Sequence, residues 1–483
     1  MNHARTTRNH SRRQVLASAG AACLLHSVAR GASTNLRLGV PPGPLTAWIQ
    51  AHLSGITRRM GATVELVSMP EPSGALKNVD VALVPPADLG RVAGDLLPVP
   101  NALTSPASEI AWGNLIQVWR DRLARWEGKT FGLPVHGDLR VLLCRNDLFD
   151  DAGRNRRFEA KFGRAIRAPL TWRETADLIE FWSVETGRPA WTPTPLSPEE
   201  RRRAFYEIAT SHVVERLSAS DRARSERLDE QARFGMEFDL DSGRCLLGST
   251  GFVRAAELLA RLQKRSAAKP EAEPWRAMLR GEVPMAVAPV AAIRVLQQRR
   301  ATRDRFTIHT VPGADTVFSS RGGPSGEYPQ GNFVPYLGLS GALACVSTSA
   351  NDPSRAWAVA AVIASPPMSQ DAVLDSGLGG PVREQQLESG PWDGLELDRE
   401  RLDQFRAVLR RTLLPLDCIN PALVLRLPDN MGLNQQLVQG LDAISSGAKP
   451  PAAAMAEIAS AWNAARADRP KARQEVRANI GFS

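Results

Sequence analysis

The 483-residue chain has 43% hydrophobic and 23% charged residues, the balance of a globular protein with core enough for two or more domains, which excludes a predominantly disordered chain. Its net charge of +9 does not argue for nucleic acid, because Arg5, Arg8, Arg12, Arg13 and Arg30 fall within the first 31 residues with no acidic residue among them. Without those five charges the balance is +4, too weak for an electrostatic footprint.

In chain order, residues 1–14 form a basic start and 15–29 an Ala-rich apolar run too short for a confident transmembrane span. Ala29-Arg30-Gly31 is a small-x-small site, so 1–31 reads as an export signal cleaved before Ala32. The run Ser11-Arg12-Arg13-Gln14-Val15-Leu16 resembles a twin-arginine signal, with Val15 where Phe is usual. An ordinary secretory signal that contains Arg-Arg is the other reading. Cys23 sits in a poor lipoprotein box, so a free periplasmic or extracytoplasmic protein is expected. Cys144, Cys245, Cys345 and Cys418 then remain, far apart and without a Cys-x-x-Cys, which supports neither a zinc site nor a redox dithiol. Buried free thiols are expected.

Residues 35–40 read as a strand ending in a Pro-Pro-Gly-Pro loop, 45–60 as an amphipathic helix and 61–67 as a returning strand, which makes a β-α-β unit. A further strand, 79–84, stops at Pro85-Pro86-Ala87-Asp88. Strands alternating with helices predict a mainly parallel sheet covered on both faces. Ligands bind beyond the carboxyl ends of such strands, so the loops at 41–44, 85–88 and 135–138 are candidates for one mouth. Residues 131–134 and 139–144 are two strand-like runs around a polar tip, His136-Gly137-Asp138, which by pattern alone fits a plain hairpin equally well.

Thr171 and Glu174 form a capping box for an amphipathic helix through Trp182. Residues 197–233 are charge-dense and helical in pattern, read as a solvated face. Glu237, Asp239 and Asp241 lie in a strand and turn that lacks calcium-loop spacing. Helices at 252–265 and 275–281, strands at 283–290 and 306–311, and a Gly- and Ser-rich loop at 319–330 follow. Gly338-Leu339-Ser340-Gly341-Ala342 approaches a nucleophile elbow, but strand-like residues rather than a helix come after Ser340. Asp352 and Pro353 start an Ala-rich helix over 355–364, and two helices around 428–444 and 452–464 close the chain. With no His-x-x-x-His, Walker loop or Gly-x-Gly-x-x-Gly in the mature chain, no motif selects an enzyme, and neither a cofactor nor a metal is expected.

Several runs share one likeness. Gly-Leu-Pro-Val-His-Gly-Asp-Leu-Arg-Val-Leu-Leu-Cys-Arg-Asn-Asp-Leu-Phe, at 132–149, resembles the place where the extracellular solute-binding proteins of sugar-type ABC transporters pass from one lobe to the other. Pro169-Leu170-Thr171-Trp172-Arg173-Glu174 is similar to the helix start that follows it, Pro353 to Trp357 to a later helix start, Pro381-Val382-Arg383 to a turn, and Ser446-Gly447-Ala448-Lys449-Pro450 to the break between the closing helices. The likeness runs from about Leu36 to Ala465. It departs at Ala286-Val287-Ala288-Pro289, where the family commonly carries a sugar-stacking Trp, and that puts the ligand in question.

The resemblance implies a periplasmic-binding-protein-like II fold of two α/β lobes, each with a mainly parallel sheet flanked by helices. Lobe 1 is expected at 32–138 plus 287–342, lobe 2 at 139–286 plus 343–470, and a tail at 471–483, with crossings near 136–141, 285–290 and 338–347. The implied function is capture of a small carbohydrate or related polar solute by hinge closure, for delivery to an ABC permease, by a protein expected to be a monomer. His136, Asp138 and Asp88 are the candidate hydrogen-bonding residues, and Trp191, Tyr336 and Trp392 the candidate stacking platforms. Arg383 is either a partner for an acidic sugar or a structural turn residue. The rival readings are a binding-protein scaffold with a non-sugar ligand or a structural or signalling role, and an exported hydrolase.

Overall fold

Leu36–Val40 (β1), Pro44–Met60 (α1) and Val64–Ser68 (β2) realise the predicted β-α-β unit, with Leu36 opposite Val64 in a parallel ladder. Val81–Val84 (β3) is buried at every position and pairs parallel with β1, as a continuous apolar run in a doubly covered sheet should. Leu96–Leu97 (β4) and Gly132–His136 (β5) complete the first pass through this lobe. The computed structural model describes residues 35–191, 197–266, 275–297, 305–319, 323–375, 377–388, 392–395 and 397–482. The expected export signal at 1–31 lies outside the described residues.

Past His136 the chain leaves this sheet. Arg140–Arg145 (β6) is the centre of a second sheet, between Met285–Pro289 (β7) and Phe306–His309 (β8), antiparallel to both. Between β6 and β7 run Trp172–Thr186 (α2), Pro198–Val213 (α3) and Thr250–Gln263 (α4). The Thr171 hydroxyl accepts from Glu174 N at 3.1 Å and the Glu174 carboxylate from Leu170 N at 2.8 Å, the capping box expected of that run. Ala314–Phe318 (β9) and Pro324–Asn332 (β10) form an antiparallel hairpin. The loop expected at 319–330 is therefore mostly strand, because β10 recruits its polar residues through backbone hydrogen bonds to β9.

Tyr336–Leu337 (β11) leads back to the first sheet, where Ala342–Ser347 (β12) pairs antiparallel with β3, β4 and β5. Pro353–Ile363 (α5) packs over β12 and β3, and Pro366–Leu374 (α6) over β5. Two expected boundaries therefore shift. Residues 343–347 and α5 lie with the first sheet rather than in lobe 2, and 287–289 lie in β7 with the second sheet. The second sheet is antiparallel, and the first is parallel only over β2-β1-β3, since β12, returning from the other lobe, enters it from the opposite end.

Arg399–Leu413 (α7) packs on β8 of the second lobe, and Ala422–Leu423 (β13) runs parallel to β11. Asn430–Ser445 (α8) and Pro451–Arg466 (α9) pack on α4. The expected tail at 471–483 instead contains a helix, Ala472–Asn479 (α10), which buries Val476 and Ala478.

Candidate functional site

The connection between the lobes is built from glycines and one carboxylate. His136 ends β5 and pairs with Ala342. Gly137 N donates to Gly380 O at 2.7 Å, and a Cβ on Gly380 would fall on the Gly137 backbone and within 2.5 Å of Asp138 N. Gly338 and Gly341 have φ of +94° and +103°, a region that other residues rarely adopt. A Cβ at Gly341 would also meet Trp119 at 2.7 Å. Only glycine lets three chain segments converge this closely.

Asp138 ties two of them together. Its carboxylate accepts from Gly338 N at 2.9 Å and from Ser340 N at 3.1 Å, so the first crossing holds the return segment of the next. Burial pushes its carboxyl above the usual range, opposed by those amide bonds. His136 is 5% exposed and burial holds its imidazole down at about 4, so it is neutral at pH 7; Nδ1 lies 3.2 Å from Gly137 O. Both residues therefore lie in the connection between the two sheets, where Asp138 holds the backbone of the returning segment.

Asp88 follows β3 at the carboxyl end of the strand, half-buried, and is ion-paired to Arg91 at 2.8 Å. Burial raises its carboxyl against the pull of its partner Arg91 and of the more distant charge of Arg202 on α3. Arg202 and Tyr206 are four residues apart on α3, neighbours on one helical face. Tyr206 stacks on Tyr336 with ring centroids 5.0 Å apart and planes at 20°. Glu237 stands next to these rings, 3% exposed, its carboxyl pushed up to about 7 by burial. Arg202, Tyr206, Tyr336 and Glu237 thus form one polar, aromatic patch, whose charge Asp88 feels through Arg202. A cavity lined by Arg140, Glu207 and Tyr336 has about 20 Å³ of free space, room for roughly one water.

Three candidates lie elsewhere. Arg383 is fully buried, with its guanidinium donating to Ser369 Oγ at 2.7 Å, Ile110 O at 2.8 Å and Ala364 O at 2.6 Å. This is the structural turn residue of its two readings, and its donors hold backbone rather than a sugar acid. Trp392 is also fully buried, edge-on to Phe405, with Nε1 donating to Gln386 O at 2.6 Å. Trp191 is 7% exposed and bridges to Ser266 within the second lobe. In each case core packing takes the face that a ligand would need. Cys144, Cys245, Cys345 and Cys418 are buried and free.

Arg202 and Tyr206 escaped the sequence reading because they sit in a charge-dense run whose pattern fits a solvated helix face. The available signal was local: Phe205 and Tyr206 interrupt the charges at a spacing that turns one side of the helix inward. Glu237 carried no such signal, since its burial depends on α9 and β11 packing from distant parts of the chain.

No protein-family model matches this chain, and no curated protein matches it in sequence. Solved structures do match. The sugar-binding protein MalE of Xanthomonas citri superimposes with a TM-score of 0.63 at 15% identity, covering 90% of this chain and 98% of that one. The fold is that of the sugar-type ABC solute-binding proteins. A solute-binding protein of Agrobacterium radiobacter in complex with ribitol gives 0.62 at 16% identity over 89% of this chain and 98% of its own. The GacH receptor of Streptomyces glaucescens, solved unliganded and with acarbose, gives 0.61 at 17% identity over 91% and 100%.

Proposed function

We propose that the protein is an exported solute-binding protein that captures a small carbohydrate or related polar solute between its lobes and delivers it to an ABC permease. The observation that carries this reading is the patch of Arg202, Tyr206 and Tyr336, whose charge is felt by Asp88 of the first lobe, together with a connection held by Asp138. A ligand that touches both sides stabilises the closed state in proportion to its differential affinity. Asp88 and Tyr336 act as ligand contacts, and His136 and Asp138 set the hinge. The fold neighbours, bound to ribitol, maltose and acarbose, support the solute class. Release of residues 1–31 by a signal peptidase, a monomeric mature chain and a periplasmic or extracytoplasmic site belong to the same proposal.

The test is a thermal-shift screen of the mature protein against neutral sugars, acidic sugars, polyols and phosphorylated sugars, with small-angle scattering on any hit. A ligand that binds only the native state raises stability by RT ln(1 + [L]/Kd), and closure contracts the radius of gyration. Silence across the panel with no contraction favours a scaffold role, and turnover of a glycoside favours a hydrolase.

A further inference from the structure

The cations around the cleft are almost all matched. Arg91 pairs with Asp88 at 2.8 Å, Arg140 with Glu200 and Glu207 at 3.1 Å each, Arg203 with Glu199 at 3.5 Å and Glu200 at 3.8 Å, and Arg201 with Asp442. Arg202, between two matched arginines on the same helix, has no hydrogen-bond or ion-pair partner among the described residues. It is half-buried all the same. A partly desolvated guanidinium without an acceptor is costly unless something supplies one.

What surrounds it narrows the acceptor. One helical turn along α3, the fully buried Tyr206 is stacked on the partly exposed Tyr336, and the charge of Arg202 acts on both hydroxyls. The Tyr336 hydroxyl is itself buried without a partner. A flat apolar ring face beside a planar cation suits a pyranose that carries an anionic group: the sugar ring packs on the aromatic face, and the acid takes the guanidinium fork with two parallel hydrogen bonds. One unmatched cation calls for one negative charge. A phosphate, at about −1.5 to −2, would leave excess charge next to the carboxylate of Asp88.

We propose that the ligand is a sugar acid, a hexuronate or a short oligosaccharide ending in one, with Arg202 binding its carboxylate beside Tyr336, the partly exposed ring of the pair. This rests on the solute-binding reading and adds the ligand's charge. The departure at Ala288 accords with it, since the second lobe then holds its ligand through α3 and β11 rather than through an aromatic on β7.

Calorimetric titration of the mature protein with glucuronate, galacturonate and mannuronate, each beside its parent hexose and the hexose 6-phosphate, decides the matter. The expected result is at least one hexuronate bound tenfold or more tighter than its hexose, weakening as salt rises. Arg202→Gln brings that Kd to within threefold of the hexose, and Arg202→Lys restores part of the preference. Equal or tighter binding of the hexose overturns the sugar-acid assignment and leaves carbohydrate capture standing. Tighter binding of the 6-phosphate replaces carboxylate by phosphate and also overturns it. Binding of none of the probes removes the sugar-acid assignment, and with silence in the wider thermal screen the solute-binding reading falls too. The comparison of hexuronate with hexose on the unmutated protein holds even where a variant fails to fold.

Discussion

Arg383 donates to three main-chain carbonyls and a hydroxyl from complete burial, and with no carboxylate beside it burial draws its guanidinium down to about 10. Arg383→Ala leaves those carbonyls without partners in the core, so a loss on the order of 3 kcal/mol is expected, read as a lower urea midpoint. Ligand affinity of the folded fraction should be unaffected. Glu237 makes a different prediction. Its carboxyl titrates at about 7 in the fold against a reference of 4.5, so the folded state binds its proton more tightly than the unfolded chain. The stability this provides is complete below pH 4.5 and lost as pH rises through 7, by on the order of 3 kcal/mol. Glu237→Gln should remove that loss, and the difference between the two unfolding curves across pH 4.5 to 7 checks it. His136, held down at about 4, acts with the opposite sign, destabilising as pH falls below 6.5, so the difference curve is the informative one.

At the scale of elements, backbone geometry at the crossing is the critical quantity. The Gly137–Gly380 contact leaves no volume for a side chain, so Gly380→Ala forces the crossing segments apart. Both lower thermal stability and faster amide exchange at Gly338 and Ser340 are expected, the latter because Asp138 loses its registry with them. Helix α2 offers a milder contrast. Thr171→Ala deletes the N-cap hydrogen bond from Glu174 N and leaves that between Leu170 N and the Glu174 carboxylate, so about 1 kcal/mol of stability should go with it, measured by denaturant titration.

For the whole molecule, the C-terminal helix supplies acceptors to buried arginines. Arg426, just after β13, donates to Asn479 O at 2.9 Å and Ala478 O at 3.1 Å, while Arg122 of the first lobe donates to Ile480 O at 2.9 Å. Glu475 accepts from Arg466 and Arg469 at 2.9 and 2.8 Å. Removing residues 471–483 strips acceptors from two buried arginines that repel each other, so the truncated protein should unfold at lower denaturant or fail to accumulate in soluble form. The β-α-β start, the capping box of α2, the Asp352 cap and the run around His136-Gly137-Asp138 were all legible in the sequence, because caps, turns and apolar periodicity are local. The two-lobed fold was readable only through the resemblance that several motifs, in order, bear to sugar-type solute-binding proteins. The tertiary structure alone decided that β12 returns to the first sheet, that Arg383 and Trp392 are core, and that Arg202, Tyr206, Tyr336 and Glu237 gather in one patch. Burial and charge matching are sums over neighbours hundreds of residues apart, and no stretch of sequence contains those neighbours.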